Sequence, residues 1–224
     1  MTAPPCKDEP TETGSKSLVP DAALAGSGTG SGTRRRTSTG VRTVTMASVV
    51  YAAMVLLFTL ISLYTAPQAS QSGTFRPFPT IPLHVLILVS LGLGLGLTAS
   101  AVRRRLDLGL AILVPALVVL TDLDHLPSYF GLAQPIRPAH SFIFILCTVA
   151  LMATVIRKRD VELATLSAFF AHLSVDTGVF PPFSPVSFQY YDLGEFRTSF
   201  VVAAVAFALA AGLATNQNRH RGVS

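Results

Sequence analysis

The chain is poor in cysteine and in charged residues, and each shortage excludes a class of protein. It has only two cysteines among 224 residues, Cys6 near the start and Cys147 inside an apolar run. Two cysteines so far apart form neither a disulfide framework nor a cysteine-based metal motif. Charged residues make up 13% of the chain, whereas soluble domains carry roughly 25%. A disulfide-rich scaffold and an ordinary soluble domain are therefore excluded.

Long apolar runs take the place of the missing charge. Half of the residues are hydrophobic, the mean hydropathy is +0.53, and several runs approach the ~17–25 residues of a membrane-spanning helix. We therefore predict an all-α, polytopic helical membrane protein with about six transmembrane helices. The predicted spans are 44–64, 81–102, 106–121, 141–156, 161–180 and 198–214. The third and fourth hold about 16 apolar residues, or ~24 Å of helix, and cross a ~30 Å core only if their polar ends enter the membrane.

The segments outside the spans divide the chain into three parts. Residues 1–42 are rich in Ser, Thr, Gly and Pro and have few large apolar side chains, which predicts a disordered cytoplasmic tail. Residues 43–216 form the transmembrane helical domain, and residues 217–224 form a short cytoplasmic C-terminal tail.

The distribution of basic residues predicts the orientation. A pI of 9.6 would suit a nucleic-acid-binding protein, but the Lys and Arg residues cluster at helix ends, so we expect no nucleic-acid partner. With the N-terminus in the cytoplasm, fourteen of the seventeen basic residues lie on the inner side, and only Arg76, Arg137 and Arg197 lie outside. This asymmetry predicts a multi-pass protein of the cell membrane with both termini in the cytoplasm.

Three polar stretches lie at the outer ends of the predicted spans. The first, Thr121 to His125, places two carboxylates and an imidazole directly after an apolar run. The second surrounds His140, and the third contains His172 and Asp176. His84 begins the second span at the same depth, so four of the five histidines fall on one face. Ionisable groups at membrane depth are costly and usually mark function.

The residue types in these stretches predict a divalent metal site. His172 and Asp176 are four residues apart, so on a helix they would share one face and reach one cation. Neutral histidine with carboxylate suits zinc or manganese. The candidate ligands are His84, Asp122, Asp124, His125, His140, His172 and Asp176. Seven exceed the four of a tetrahedral zinc, so either two metals bind or some of these residues serve as catalytic or supporting groups.

Simpler interpretations exist for several of these residues. His84 alone suits an interfacial histidine, Arg137 a membrane-edge anchor or an aspartate partner, and His172 with Asp176 a buried structural pair. Ser141 suits a helix start. The glycine run 92–96 suits close helix packing or a hinge, and the aromatic loop 180–196 suits an interfacial belt or a lid.

The order of these motifs resembles the YdjM-like family of predicted inner-membrane metal-dependent hydrolases. That family shows an early His, a PDIDHP-like stretch, HRGxTHS, and HxxxDxxTxxG followed by a Pro-Phe region. The matching positions here are His84, residues 121–126, residues 137–141 and residues 172–184. Ile136 stands where the family has the first His of HRGxTHS, and Thr121 where Pro is usual. The resemblance implies a metal-dependent hydrolase.

We therefore expect a membrane-embedded, metal-dependent hydrolase with its site at the outer face, acting on a lipid or lipid-linked ester or phosphoester. Asp122, Asp124 or Asp176 would act as general base, and Arg137 would hold a phosphate or carboxylate oxygen. Two alternatives use the same cluster: an ion- or proton-coupled transporter, and a non-catalytic protein in which a metal staples the helices together. The bilayer is the expected partner, a lipid-like molecule the expected substrate, and the oligomeric state is left open.

Overall fold

A computed structural model describes residues 34–65, 81–103, 106–129, 137–176, 179–187 and 189–220. Most of the predicted N-terminal tail, Arg76 in the first outer loop and residues 221–224 lie outside these ranges. α1 begins at Arg34, inside the segment assigned to the tail, because the apolar helix that follows extends towards the N-terminus.

The described chain is helical, as predicted. Its helices are α1 (Arg34–Thr65), α2 (Ile81–Val102), α3 (Leu108–Leu120), the short α4 (Leu126–Tyr129), α5 (Phe142–Val155), α6 (Arg159–Val175) and α7 (Leu193–His220). Two-residue strands, β1 (Val179–Phe180) and β2 (Tyr191–Asp192), pair antiparallel between α6 and α7. The expectation of an all-α protein is confirmed, and the six main helices agree with the predicted number of about six.

Four helical segments are long and apolar enough to cross a bilayer: Gly40–Thr65, Pro82–Val102, Leu108–His125 and Leu193–Ala214. The third reaches this length only by including the polar turn after α3. The apolar α5 has 14 residues, or ~21 Å, and α6 has 17, or ~26 Å. These lengths and compositions are those of a membrane protein in which two shorter helices pack among four longer ones.

One predicted boundary is wrong by several residues. The fifth span was expected to run to Phe180, but α6 ends at Val175 and Asp176 is extended, with φ −66° and ψ 158°. Phe180 belongs instead to β1, where its ring packs against Phe142 and Phe200. Hydropathy cannot separate a helix from a buried strand when both are apolar.

Close packing of α2 on α3 accounts for two of the three glycines in the 92–96 run. A Cβ at Gly92 would lie 2.5 Å from the Cα of Pro115, and one at Gly96 would lie 2.7 Å from the carbonyl oxygen of Leu110. A Cβ at Gly94 would meet nothing within 4 Å. The run therefore serves helix packing.

A buried arginine joins the helices at the end of the bundle opposite the histidines. The Arg103 side chain is 2% exposed, contacts the carboxylate of Asp107, and donates to Asp160 Oδ2 at 3.0 Å. It also donates to the carbonyl of Ala211 at 3.2 Å. Four helical elements, α2, α3, α6 and α7, thus meet at one guanidinium.

A second buried contact positions the polar turn that follows α3. The hydroxyl of Tyr51 on α1 lies 2.9 Å from Thr121 Oγ1, and both residues are fully buried. The Tyr51 ring meets Phe144 edge-on, with centroids 5.5 Å apart. Tyr51 therefore holds the turn between α1 and α5.

Candidate metal centre

The Thr121–His125 stretch forms a 3-10 turn that continues α3. With three residues per turn, side chains at positions i and i+3 lie above one another. Asp122 and His125 consequently share a face, with Asp122 Oδ1 3.6 Å from His125 Nε2. Asp124 points elsewhere and is fully buried. The tighter turn explains how one short segment presents two carboxylates in different directions.

The second stretch is a 3-10 turn over Pro138–His140, with its direction set by proline and serine. Arg137 lies outside the helical region, with φ −101° and ψ 82°, because the residue before a proline is disfavoured in the helical conformation. Ser141 is the N-cap of α5, and its Oγ accepts a hydrogen bond from the Phe144 N–H at 3.1 Å. Ser141 thus occupies the helix-start position expected of it, and His140 points into the protein fully buried.

The third stretch is the C-terminal end of α6. His172 is in the last turn, and Asp176 is the C-cap, whose N–H donates to the His172 carbonyl at 3.1 Å. The expectation that both residues lie on a helix was wrong, because Asp176 has already left it. Its carboxylate nevertheless turns towards the imidazoles, and both side chains are fully buried.

Three buried ligand atoms converge where the second and third stretches meet. His140 Nε2 lies 3.0 Å from His172 Nε2 and 3.1 Å from Asp176 Oδ2. Tetrahedral zinc ligands at ~2.0–2.2 Å from the ion lie roughly 3.3–3.6 Å apart. His140, His172 and Asp176 therefore form a group that could hold a metal ion.

The Nδ1 atoms of the two imidazoles, which point away from the three-residue group, show why this group suits a cation. His172 Nδ1 is 2.9 Å from the Val118 carbonyl, which can only accept, so Nδ1 carries the proton. His140 Nδ1 is 2.9 Å from Asp124 Oδ2, so it too is a donor. In the neutral rings both Nε2 atoms then present lone pairs to each other and to a carboxylate oxygen. Either a proton or a metal cation between them removes this repulsion.

The partners of the two Nδ1 atoms form an outer layer around the group. Histidines that bind metals usually donate their other ring N–H to a carboxylate or a backbone carbonyl, which fixes the ring and the tautomer. Asp124 does this for His140, and the Val118 carbonyl does it for His172. Asp124 is thus placed behind a ligand, with the remaining oxygen 3.7 Å from His125 Nε2.

Asp122 and His84 lie beside the three-residue group. Asp122 Oδ1 is 3.6 Å from His172 Nε2, and Asp122 Oδ2 is 3.5 Å from His84 Nε2. Both side chains are 21% exposed, whereas His140, His172 and Asp176 are fully buried. All seven residues named as candidate ligands therefore gather at one end of the helices, but only three of them form the compact group.

Arg137 connects the group to His125. Its guanidinium contacts Asp176 Oδ2 and donates to His125 Nε2 at 2.6 Å. Burial raises the pKa of Asp176, but the hydrogen bond from His140 and the charge of Arg137 outweigh it and hold that pKa well below its usual range. Asp176 is therefore ionised, while His125 Nε2 accepts a hydrogen bond from Arg137.

The groups around His140 shift its pKa in opposite directions. Burial and the charge of Arg137 lower its pKa, whereas Asp124 and Asp176 raise it, and the net result is a raised pKa. Without a metal, the His140 imidazole therefore tends to carry a second proton, on the Nε2 atom that faces His172 and Asp176.

Sequence reasoning missed two contributors. The Val118 carbonyl carries no side-chain signal, since any residue there supplies the same oxygen. Arg197 on α7 donates to the Asp176 carbonyl at 3.4 Å, and its only signal was its membership of the three outer basic residues.

Comparison of the chain with protein-family models, curated proteins and solved structures finds no match.

Proposed function

We propose that the protein is a membrane-embedded, metal-dependent hydrolase. The observation that carries this proposal is the convergence of His140 Nε2, His172 Nε2 and Asp176 Oδ2. The Nδ1 atom of each imidazole is held by a hydrogen-bond acceptor, which fixes the orientation of both rings. Three protein ligands with a further open position characterise catalytic zinc sites, whereas structural sites are closed by four. Zinc is our first choice of metal and manganese the second. The resemblance to the YdjM-like hydrolases gives the same class of chemistry.

The metal would supply hydroxide near neutral pH by lowering the pKa of a water molecule. Asp122 is our candidate general base, because its Oδ1 lies 3.6 Å from a ligand nitrogen and its side chain is partly open to solvent. His84 would orient the other oxygen of Asp122. Asp124 would keep His140 in the ligating tautomer, which is a positioning role.

Arg137 would contribute positive charge next to the reacting group. It contacts the ligand Asp176, and its side chain is 21% exposed, so an anionic substrate can approach it. Guanidinium groups bind carboxylate and phosphate oxygens in a bidentate manner. This supports an ester or phosphoester substrate.

A lipid substrate is supported by an apolar groove that begins beside the site. The groove has a volume of about 670 Å³ and is lined along α1, α2 and α3 by residues including Ser48, Leu93, Pro115 and Leu120. Leu120 directly precedes the Thr121–His125 turn. An acyl chain in this groove would place its head group near Asp122. The distribution of basic residues supports an outer-face location for this end, with both termini in the cytoplasm.

Hydrolysis by purified protein tests the proposal. Zinc- or manganese-loaded protein in detergent would be assayed on carboxylic and phosphoric ester lipids. We expect Asp122→Asn to retain the metal but lose at least about a hundredfold in rate, since a positioned base contributes ~10²–10⁴-fold. Glu162→Gln is the control, because Glu162 lies in the first turn of α6, at the opposite end of that helix from His172. Equal rates for Asp122→Asn and wild type would remove Asp122 from the mechanism, and no turnover by metal-loaded wild type would refute the hydrolase proposal.

A further inference from the structure

Arg197 lies beside the candidate metal centre. It lies near the start of α7, is exposed, and makes one long contact with the Asp176 carbonyl, 3.4 Å. Within the described ranges no carboxylate forms an ion pair with it. Arg137, by contrast, is paired with the Asp176 carboxylate. The two guanidinium groups therefore approach the same residue from its side chain and from its backbone.

The formal charges of the centre indicate what kind of ligand Arg197 would bind. A divalent cation bound here would, together with Arg137, balance the three carboxylates Asp122, Asp124 and Asp176. Arg197 would then add one positive charge, and no ion pair within the described residues offsets it. A centre with excess positive charge attracts an anion.

The placement of Arg197 is also unusual for a membrane anchor. Fourteen of the seventeen basic residues lie at the other end of the predicted spans, where the Arg103 network lies. Of the three at this end, both that the structure describes contact Asp176. General anchoring at the interface does not require two arginines on one buried aspartate.

We propose that Arg197 and Arg137 together form an anion-binding site for a phosphate group, so that the substrate of the proposed hydrolase is a phosphoester. This inference rests on the proposed function and narrows its substrate class. Arg137 is held by Asp176 and His125, which makes it a fixed donor. Arg197, whose one hydrogen bond within the described residues is the long contact to the Asp176 carbonyl, would bind the phosphate oxygens from the solvent side.

The chemical requirement is a phosphate oxygen anion, whether it belongs to a lipid head group or to a soluble phosphate. The test uses metal-loaded, detergent-purified protein titrated with inorganic phosphate by calorimetry, and nanodiscs containing phosphatidic acid for the lipid. The metal content of every sample is measured first. The variants are Arg197→Ala and Arg197→Lys, with Arg159→Ala as the control, an exposed arginine at the start of α6 at the opposite end.

We expect Arg197→Ala to weaken phosphate binding about tenfold, as the loss of one charge-assisted hydrogen bond does. Arg197→Lys should recover part of this, because it keeps the charge but not the fork of donors. Arg159→Ala should bind like wild type, and all variants should keep their metal. An effect on phosphatidic acid alone would identify a lipid head group, and an equal effect on both probes would identify the phosphate itself.

Unchanged phosphate affinity in Arg197→Ala, in samples that contain metal, would overturn this inference and leave the metal centre intact. Wild-type protein that takes up no metal would refute the proposed function instead. Phosphate binding that needs Arg197 even in that metal-free protein would still support the anion site.

Discussion

His140 Nε2 and His172 Nε2 face each other at 3.0 Å, while the Nδ1 atoms of both rings are engaged by acceptors. Two imidazoles in this arrangement repel unless a cation lies between their nitrogens. Asp176 Oδ2 completes the set at 3.1 Å from His140. The following expectations derive from this geometry and from the packing that maintains it.

Replacing Asp124, which accepts a hydrogen bond from His140 Nδ1, should weaken metal binding without abolishing it. Asp124→Asn keeps the shape of the side chain but allows its amide nitrogen to face His140, which disturbs the tautomer. Loss of such an outer partner typically costs 10–100-fold in metal affinity. Competition with a chelator of known zinc affinity would measure it. Unchanged affinity would show that Asp124 does not orient the ligand.

Metal affinity should fall as the pH falls. A proton and the metal compete for His140, and the carboxylates of Asp124 and Asp176 raise the pKa of His140 against the effect of burial. Binding therefore releases a proton at pH values below that raised pKa, and affinity is lost progressively on acidification. Calorimetry in two buffers of different ionisation enthalpy would count the protons. A buffer-independent enthalpy at pH 6 would contradict the competition.

The two packed glycines should be sensitive to added volume. In Gly96→Ala the new methyl group would lie 2.7 Å from the Leu110 carbonyl, so α2 and α3 must separate. Overpacking of this kind costs about 1–3 kcal/mol of unfolding free energy. Gly94→Ala is the matched control, because its methyl group meets nothing within 4 Å. Thermal unfolding in detergent should show a lower midpoint for Gly96→Ala only.

The Arg103 network should contribute to stability without affecting the metal centre. Arg103→Ala leaves the carboxylates of Asp107 and Asp160 facing each other without their shared partner. Breaking a buried pair on one side typically costs about 3–5 kcal/mol. Replacement of the exposed Arg159 by Ala provides the control. A folded Arg103→Ala protein should still bind metal, since the network lies at the other end of the helices.

Much of the fold could be predicted from hydropathy, and the rest depended on particular residues. α2 begins and ends where the apolar run 81–102 does, because no Asp, Glu, Lys or Arg interrupts it. The end of α6 was missed because Val179 and Phe180 are apolar, like the helix before them, although they form β1. Hydropathy measures burial and not backbone conformation, so the β1–β2 pair gave no signal.

The sequence predicted where the candidate site lies, but not how its side chains are arranged. Histidine and aspartate at matching helix ends predicted that the seven side chains would gather. Sequence spacing could not show that Asp124 lies behind His140, because that depends on the 3-10 turn at Thr121–His125. Nor could it show the Val118 carbonyl behind His172, since a backbone oxygen is present at every position.

The most direct test of the account is the metal content of the purified protein by mass spectrometry. Wild type would be compared with His172→Ala, Asp176→Ala and the distant control Glu162→Gln, in the first turn of α6, all reloaded with zinc or manganese and confirmed to be folded. We predict about one tightly bound ion per chain in wild type and control, and loss of that ion in both site variants. An equal metal content in all four proteins, or none in any of them, would contradict a metal centre at His140, His172 and Asp176.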